Sequence, residues 1–182
     1  MPNVRETCLD AFSAWLRSRA TDALAVGDAL EVEGMSEAAR RHAAGSLNYL
    51  FKSLDLIPDG IEDLGYLDDA MVLRVGAALA LREAPGLRQG APALAALAAE
   101  ATLVAELLGG PLYERFTRYV SGLGRSTARG RSVDAILAEP RQRAALLVDL
   151  RGWAASYVAP GFSRDDKNLV KLEAFLDAKL PR

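Results

Sequence analysis

Residues 48 to 69 read Asn48-Tyr49-Leu50-Phe51-Lys52-Ser53-Leu54-Asp55-Leu56-Ile57-Pro58-Asp59-Gly60-Ile61-Glu62-Asp63-Leu64-Gly65-Tyr66-Leu67-Asp68-Asp69. Pro58 keeps Ile57 out of the α region and Pro58-Asp59-Gly60 is a strong turn sequence, so a helix arriving from the N-terminal side must stop near Asp55. That helix opens at Ser36, an N-cap residue, passes the charged turns of Glu37, Arg40 and Arg41, and carries Leu47, Leu50, Phe51 and Leu54 at core spacing. Past the turn, an Ala-rich apolar stretch predicts a helix from about Leu64 to Arg82, closed by Pro85-Gly86. The segment 36–83 is thus a helix-turn-helix hairpin, and it sets the pattern for the chain.

Working outward, the whole sequence of 182 residues holds 33 Ala and 29 Leu against 14 Val plus Ile, a balance that favours helices over sheets. A length of this kind supports one domain with a sizeable core. The fold class expected is a compact all-α bundle of about eight helices, a single domain over 1–182. Val4, Cys8, Phe12 and Trp15 form the apolar stripe of a first helix, with Arg5, Asp10, Arg17 and Arg19 off it. Thr21 is the expected N-cap of a second helix reaching Val32. Further helices are expected at 91–108, ending at Gly109-Gly110-Pro111, at 112–122, from Pro140 to Pro160-Gly161, and after Ser163, which with Asp166 forms a capping box. The stretch 122–132, rich in Gly and Ser, reads as a mobile basic loop and a joint between subdomains.

Composition excludes several functions. One cysteine makes no internal disulfide, and one histidine supplies no His/Cys zinc or iron–sulfur set, so Cys8 reads as a small buried hydrophobe in a reducing compartment. The first nineteen residues lack the unbroken apolar core of a signal peptide, and the expected location is cytoplasmic. The apolar windows 75–81 and 89–105 read as buried helices, although a broad apolar face leaves room for peripheral membrane attachment. Gly122-Leu123-Gly124-Arg125-Ser126-Thr127 lacks the Gly-Lys-Ser/Thr ending and the preceding strand of a phosphate loop. His42 and Ser46 have no acid placed by sequence to complete a nucleophile triad.

The run from 48 to 81 resembles the YkvA-like family, a bacterial domain of unknown function marked by Asp-Leu-Ile-Pro-Asp followed by Leu-Gly and Asp-Asp. The matching residues are Tyr49, Asp55, Leu56, Ile57, Pro58, Asp59, Leu64, Gly65, Leu67, Asp68 and Asp69. Family members often carry Pro just before the first Asp and again after the Ile, where this chain has Ser53-Leu54 and Glu62. Many are membrane proteins. The resemblance covers about a fifth of the chain; it implies a helical hairpin of unknown role and supplies no catalytic residue.

Between positions 55 and 69 stand Asp55, Asp59, Glu62, Asp63, Asp68 and Asp69, with no Lys or Arg among them. The favoured reading is structural: Asp59 caps the turn, Asp63 caps the following helix, Asp68 and Asp69 sit in its first turns where the macrodipole favours anions, and Arg40, Arg41 or Arg74 supplies counter-charge. The second reading is an all-oxygen site for Mg²⁺, Mn²⁺ or Ca²⁺. Because Asp68 and Asp69 point about 100° apart on a helix, only one of the pair is expected to face an ion, and the ligand set becomes Asp55, Asp59 and Asp69. With a catalytic ion, the class would be a hydrolase or phosphotransfer enzyme.

Charge divides along the chain: residues 1–110 hold 9 basic and 16 acidic side chains, residues 111–182 hold 13 and 8. Packing of the halves on one another is the simpler account, and a total of −2 disfavours nucleic acid as the partner. Arg125, Arg129 and Arg131 are the candidate partner-binding residues, for a protein or, as a further alternative, a nucleic-acid backbone. The expected function is a non-enzymatic interaction or scaffold module near a membrane surface; the seam of the last helix would also serve a second copy of the chain.

Overall fold

The computed structural model describes residues 3–53 and 55–182. Eight α-helices account for most of them: α1 (Val4–Ala29), α2 (Glu37–Leu50), α3 (Leu67–Glu83), α4 (Leu87–Gly90), α5 (Pro92–Gly122), α6 (Val133–Ala138), α7 (Pro140–Ala155) and α8 (Asp166–Lys179). The only strands among the described residues are the two-residue pair β1 (Thr127–Ala128) and β2 (Arg131–Ser132). The fold is the compact all-α bundle expected.

α3 is its axis. From Leu67 to Ala77 no residue of α3 is more than slightly exposed, which is the mark of a helix enclosed by neighbours rather than laid on a surface. Met71, Val72, Val75 and Leu79 face one apolar cluster with Cys8, Phe12, Phe116 and Leu172. Leu73, Ala77, Ala80 and Leu81 face a second with Val26, Ala43, Leu47, Val133 and Leu146. α1, α2 and α5 pack around this axis.

Local rules explain most boundaries. Ser36 caps α2 by accepting from the Ala39 N–H at 3.2 Å, and the helix stops at Phe51 ahead of Pro58. Leu54, expected on its core face, lies outside the described residues. α5 is broken where Gly109-Gly110-Pro111 predicts: Gly109 takes φ 70°, ψ 168°, inside what is otherwise a 31-residue helix. Such a left-handed φ suits glycine, and Pro111 cannot donate to the turn before it. By length and composition α5 passes as a helix able to cross a membrane, with a mean hydropathy of 1.5 over its most apolar window; only 33% of that window is buried, so the stretch expected as a buried helix packs on one side alone.

Four expectations give way. Thr21 does not start a helix; α1 runs through it, because nothing between Arg17 and Val26 breaks a helix and Ser18 Oγ bridges to Asp22 at 2.7 Å. α3 begins at Leu67, with Tyr66 rather than Asp63 at the N-cap, and Tyr66 adopts φ 72°. The last helix is capped by Asp165, accepting from the Lys167 N–H at 2.9 Å, in place of a Ser163–Asp166 box; Ser163 instead donates to Asp63. The stretch 122–132 is a folded unit: a 3₁₀ turn (Leu123–Arg125) and the β1–β2 hairpin lie on α2, held by Arg41 Nη1 on the Gly124 carbonyl at 2.9 Å and Asn48 Nδ2 on the Arg131 carbonyl at 3.3 Å.

Candidate metal centre

The hairpin turn is tied to α3 from beneath. Tyr49, fully buried near the end of α2, donates its hydroxyl to Asp68 Oδ2 at 2.5 Å and accepts from the Leu56 N–H at 2.7 Å. The Ile57 N–H donates to the same Asp68 oxygen at 3.1 Å. This accounts for the Asp-Leu-Ile-Pro signature chemically: Pro58 stiffens a turn whose two preceding amides are needed as donors, and Asp68 in the first turn of α3 receives one of them directly and the other through Tyr49. Burial and the neighbouring carboxylate drive the Tyr49 phenol far above its ordinary range.

Gly65 closes the turn. A Cβ at that position would lie 2.2 Å from the Asp59 carbonyl oxygen, so no other residue lets the chain pass so close. Its N–H donates to the Ile61 carbonyl at 2.8 Å. The result is that the loop folds under α3 and brings Asp55 to the start of that helix.

Asp55, Asp68 and Asp69 each place a carboxylate oxygen within 4.8 Å of the others. The expectation that a 100° separation keeps Asp68 and Asp69 apart fails, because side-chain torsions in the first turn, where no preceding turn stands in the way, swing both carboxylates toward one point. Asp59 is exposed on the turn and lies outside this trio, although it lines the same cleft. The cleft has a volume of about 320 Å³ and is bordered by Arg19, Lys52, Tyr66, Trp153 and Tyr157.

Charge in the cleft is unbalanced. Asp69 is held by Arg19, Nη1 to Oδ2 at 2.6 Å, in a pair whose members are both nearly inaccessible. Arg19 in turn is surrounded by aromatic faces, with Tyr66 at 4.2 Å, Tyr157 at 4.8 Å and Trp153 at 5.2 Å from its guanidinium carbon. Among the described residues, Asp68 Oδ1 is buried with no donor in good hydrogen-bond geometry, although the Asp68 and Asp69 amides of the first turn lie near its carboxylate and favour its ionised form. Burial, and then the charges of Asp68 and Asp59, raise the Asp55 carboxyl to about 6. Burial also raises Asp68 and, with Asp68 beside it, lifts Asp69 well above the carboxylate range. Three carboxyls that all resist ionising are three that lack sufficient positive charge.

The other acids and bases of the sequence reading fall elsewhere. Asp63, at φ 64°, turns outward to accept from the Ser163 hydroxyl and from the Ser163 N–H at 2.7 Å, and the hydroxyl first, with the N–H adding to it, depresses its carboxyl. Glu62 is exposed. Arg74 serves Asp22 and Glu100 and Arg41 serves Asp134 and Glu37, so the counter-charge of the trio is Arg19. Arg19, expected off the apolar stripe of the first helix, lies on it: α1 continues past Ser18, and the stripe Cys8, Phe12, Trp15 leads to a buried position 19. Of the three loop arginines, Arg131 is buried against Asp149 at 2.6 Å, while Arg125 and Arg129 are exposed, the latter 4.5 Å over the Phe51 ring. His42 is half-buried between α2 and its neighbours, and burial lowers its pKa.

Residues 39–74 match a family described as a protein of unknown function (DUF1232). The match spans most of α2, the turn and the first half of α3, so the part of the chain that carries the likeness is the part that builds the carboxylate trio. A segment-only likeness to a family of unknown function is what the hairpin motif predicts. No curated protein and no solved structure matches the chain.

Proposed function

We propose that the protein is a divalent-cation-binding helical module, with the ion held by Asp55, Asp68 and Asp69. The observation that carries this reading is Asp68 Oδ1, a buried acceptor with no donor in good geometry among the described residues, in a carboxylate that shares its site with two others. A hard cation satisfies such a group where water and hydrogen-bond donors do not. The three oxygens lie within 4.8 Å of one another, near enough for a single hard cation to draw them together. The donor set is all oxygen, which favours these ions over zinc or copper.

Thermal unfolding in EDTA and then with Ca²⁺, Mg²⁺ or Mn²⁺ tests the reading. An ion at about a hundred times its dissociation constant adds roughly 2.7 kcal/mol, on the order of 5–10 °C for a chain of this size. Asp55→Asn and Asp69→Asn should abolish the shift, while Glu62→Gln, from the same acidic run, should keep it. If no ion moves the transition of the wild-type protein, the trio is a structural acid cluster and the role of the module lies in its outer surfaces, including the exposed Arg125.

A further inference from the structure

Three candidates outside the trio itself bear on function: the groove between α3 and the end of α5, the outward face of α7, and the cleft above the carboxylates. The groove, about 620 Å³, is edged by Arg82, Arg118 and Arg125, but all three are exposed and nothing in it identifies a ligand. The outward face of α7 shows only Val148 as a large exposed hydrophobe. The cleft carries more.

A six- or seven-coordinate ion on three carboxylates needs further oxygen ligands, and these must come from the open side. Arg19 and Lys52 border that side. Arg19 is almost wholly buried and gives one N–H to Asp69, yet its Nε–H, also buried, has no acceptor. Lys52 has no carboxylate partner among the described residues; its ammonium sits 3.5 Å from the Tyr119 hydroxyl and within 6 Å of the Tyr49 and Tyr119 rings. Two cations with unused donors beside a carboxylate trio are a setting for an anion whose oxygens reach the metal on one side and N–H groups on the other.

Resting on the cation reading above, we infer that the cleft binds the phosphate group of a small ligand, and does so only when the divalent ion is present. The charge count explains the dependence. A bound ion requires these carboxyls in their ionised form, and in that form Asp55, Asp59, Asp68 and Asp69 against Arg19 and Lys52 carry an excess of two negative charges, which repels an anion. A divalent ion cancels that excess and offers its own open positions, so the metal and the phosphate bind cooperatively. A volume of about 320 Å³ is enough to admit the phosphate group of a small ligand.

The experiment measures free Mn²⁺ by electron paramagnetic resonance while the intact protein is titrated, first in chloride, then with inorganic phosphate, then with glycerol 3-phosphate. Binding of one ion constrains the other by the same factor, so phosphate should tighten the protein's hold on Mn²⁺ at least fivefold. Chelation by phosphate in solution also lowers free Mn²⁺, so the same titrations without protein are subtracted, and the tightening must appear in the protein-dependent difference. A larger effect from glycerol 3-phosphate assigns the site to a phosphate ester; a larger effect from inorganic phosphate assigns it to the free ion. Lys52→Gln should remove the phosphate effect while tightening Mn²⁺ itself, because a cation beside the carboxylates is lost. If Mn²⁺ binds and neither phosphate tightens it, the inference is overturned and the cation reading stands. If wild type and Asp69→Asn hold Mn²⁺ equally poorly, both are overturned.

Discussion

Two buried arginines, one turn apart in their surroundings, meet opposite fates. Arg74 on α3 donates to Asp22 at 3.0 Å, Glu100 at 2.6 Å and the Ala70 carbonyl at 3.0 Å, and lies 4.1 Å over the Trp15 ring. Its charge and its donors are used within the bundle, and Glu100 carries the surplus to solvent. Arg19 on α1 faces three carboxylates, pairs with one, and leaves one buried carboxylate oxygen and one of its own N–H groups without partners. The two clusters share residue types and helices. What separates them is balance: the first is closed chemically, and the second is complete only with something added.

The comparison breaks most visibly at Arg74. Arg74→Met leaves Asp22 without its partner in an enclosed site, an expected loss of about 3–5 kcal/mol in urea unfolding that no divalent ion repairs. Gly65→Ala should cost about 1–3 kcal/mol, because the added methyl group strikes the Asp59 carbonyl; the same variant should weaken the cation response, since the loop that carries Asp55 must move. Arg19→Met sharpens the contrast in the other direction. It removes the one cation that is ion-paired with the trio and should deepen the cation-induced stabilisation by about 1 kcal/mol, roughly fivefold in affinity.

The smallest effect is a pH dependence. In EDTA, Asp55 ionises at its ordinary 3.8 in the unfolded chain and at about 6 in the folded one, so the folded protein retains a proton across that window. Its contribution to stability is whole below 3.8 and is lost as the pH rises through about 6. Denaturant midpoints from pH 5 to 7 should therefore fall in wild type relative to Asp55→Asn, and saturating cation should flatten the difference, because the ion favours the deprotonated carboxylate.

The hairpin was readable in the sequence because its signals are local: Ser36, Pro58 and the Ala-rich run act within a few residues of themselves. The kink at Gly109 was readable for the same reason. The continuity of α1 was not, since a threonine at position 21 is a good cap and an acceptable helix residue, and only packing decides between them. The trio was half legible. Asp55 and Asp69 follow from the acidic run, but Asp68 enters through Tyr49 and the Leu56 and Ile57 amides, contacts set by how the turn folds under α3 rather than by helix periodicity. Arg131 read as a free cation because its partner, Asp149, lies on a later helix.

The enclosure of α3 has a consequence in time as well as in space. Its peptide hydrogens from Ala70 to Ala77 have no wet side from which to fray, so exchange with deuterated solvent requires the removal of a neighbouring helix. The helix that presents Asp68 and Asp69 should therefore be among the slowest-exchanging parts of the chain, and the carboxylates at its first turn are anchored to backbone that stays put.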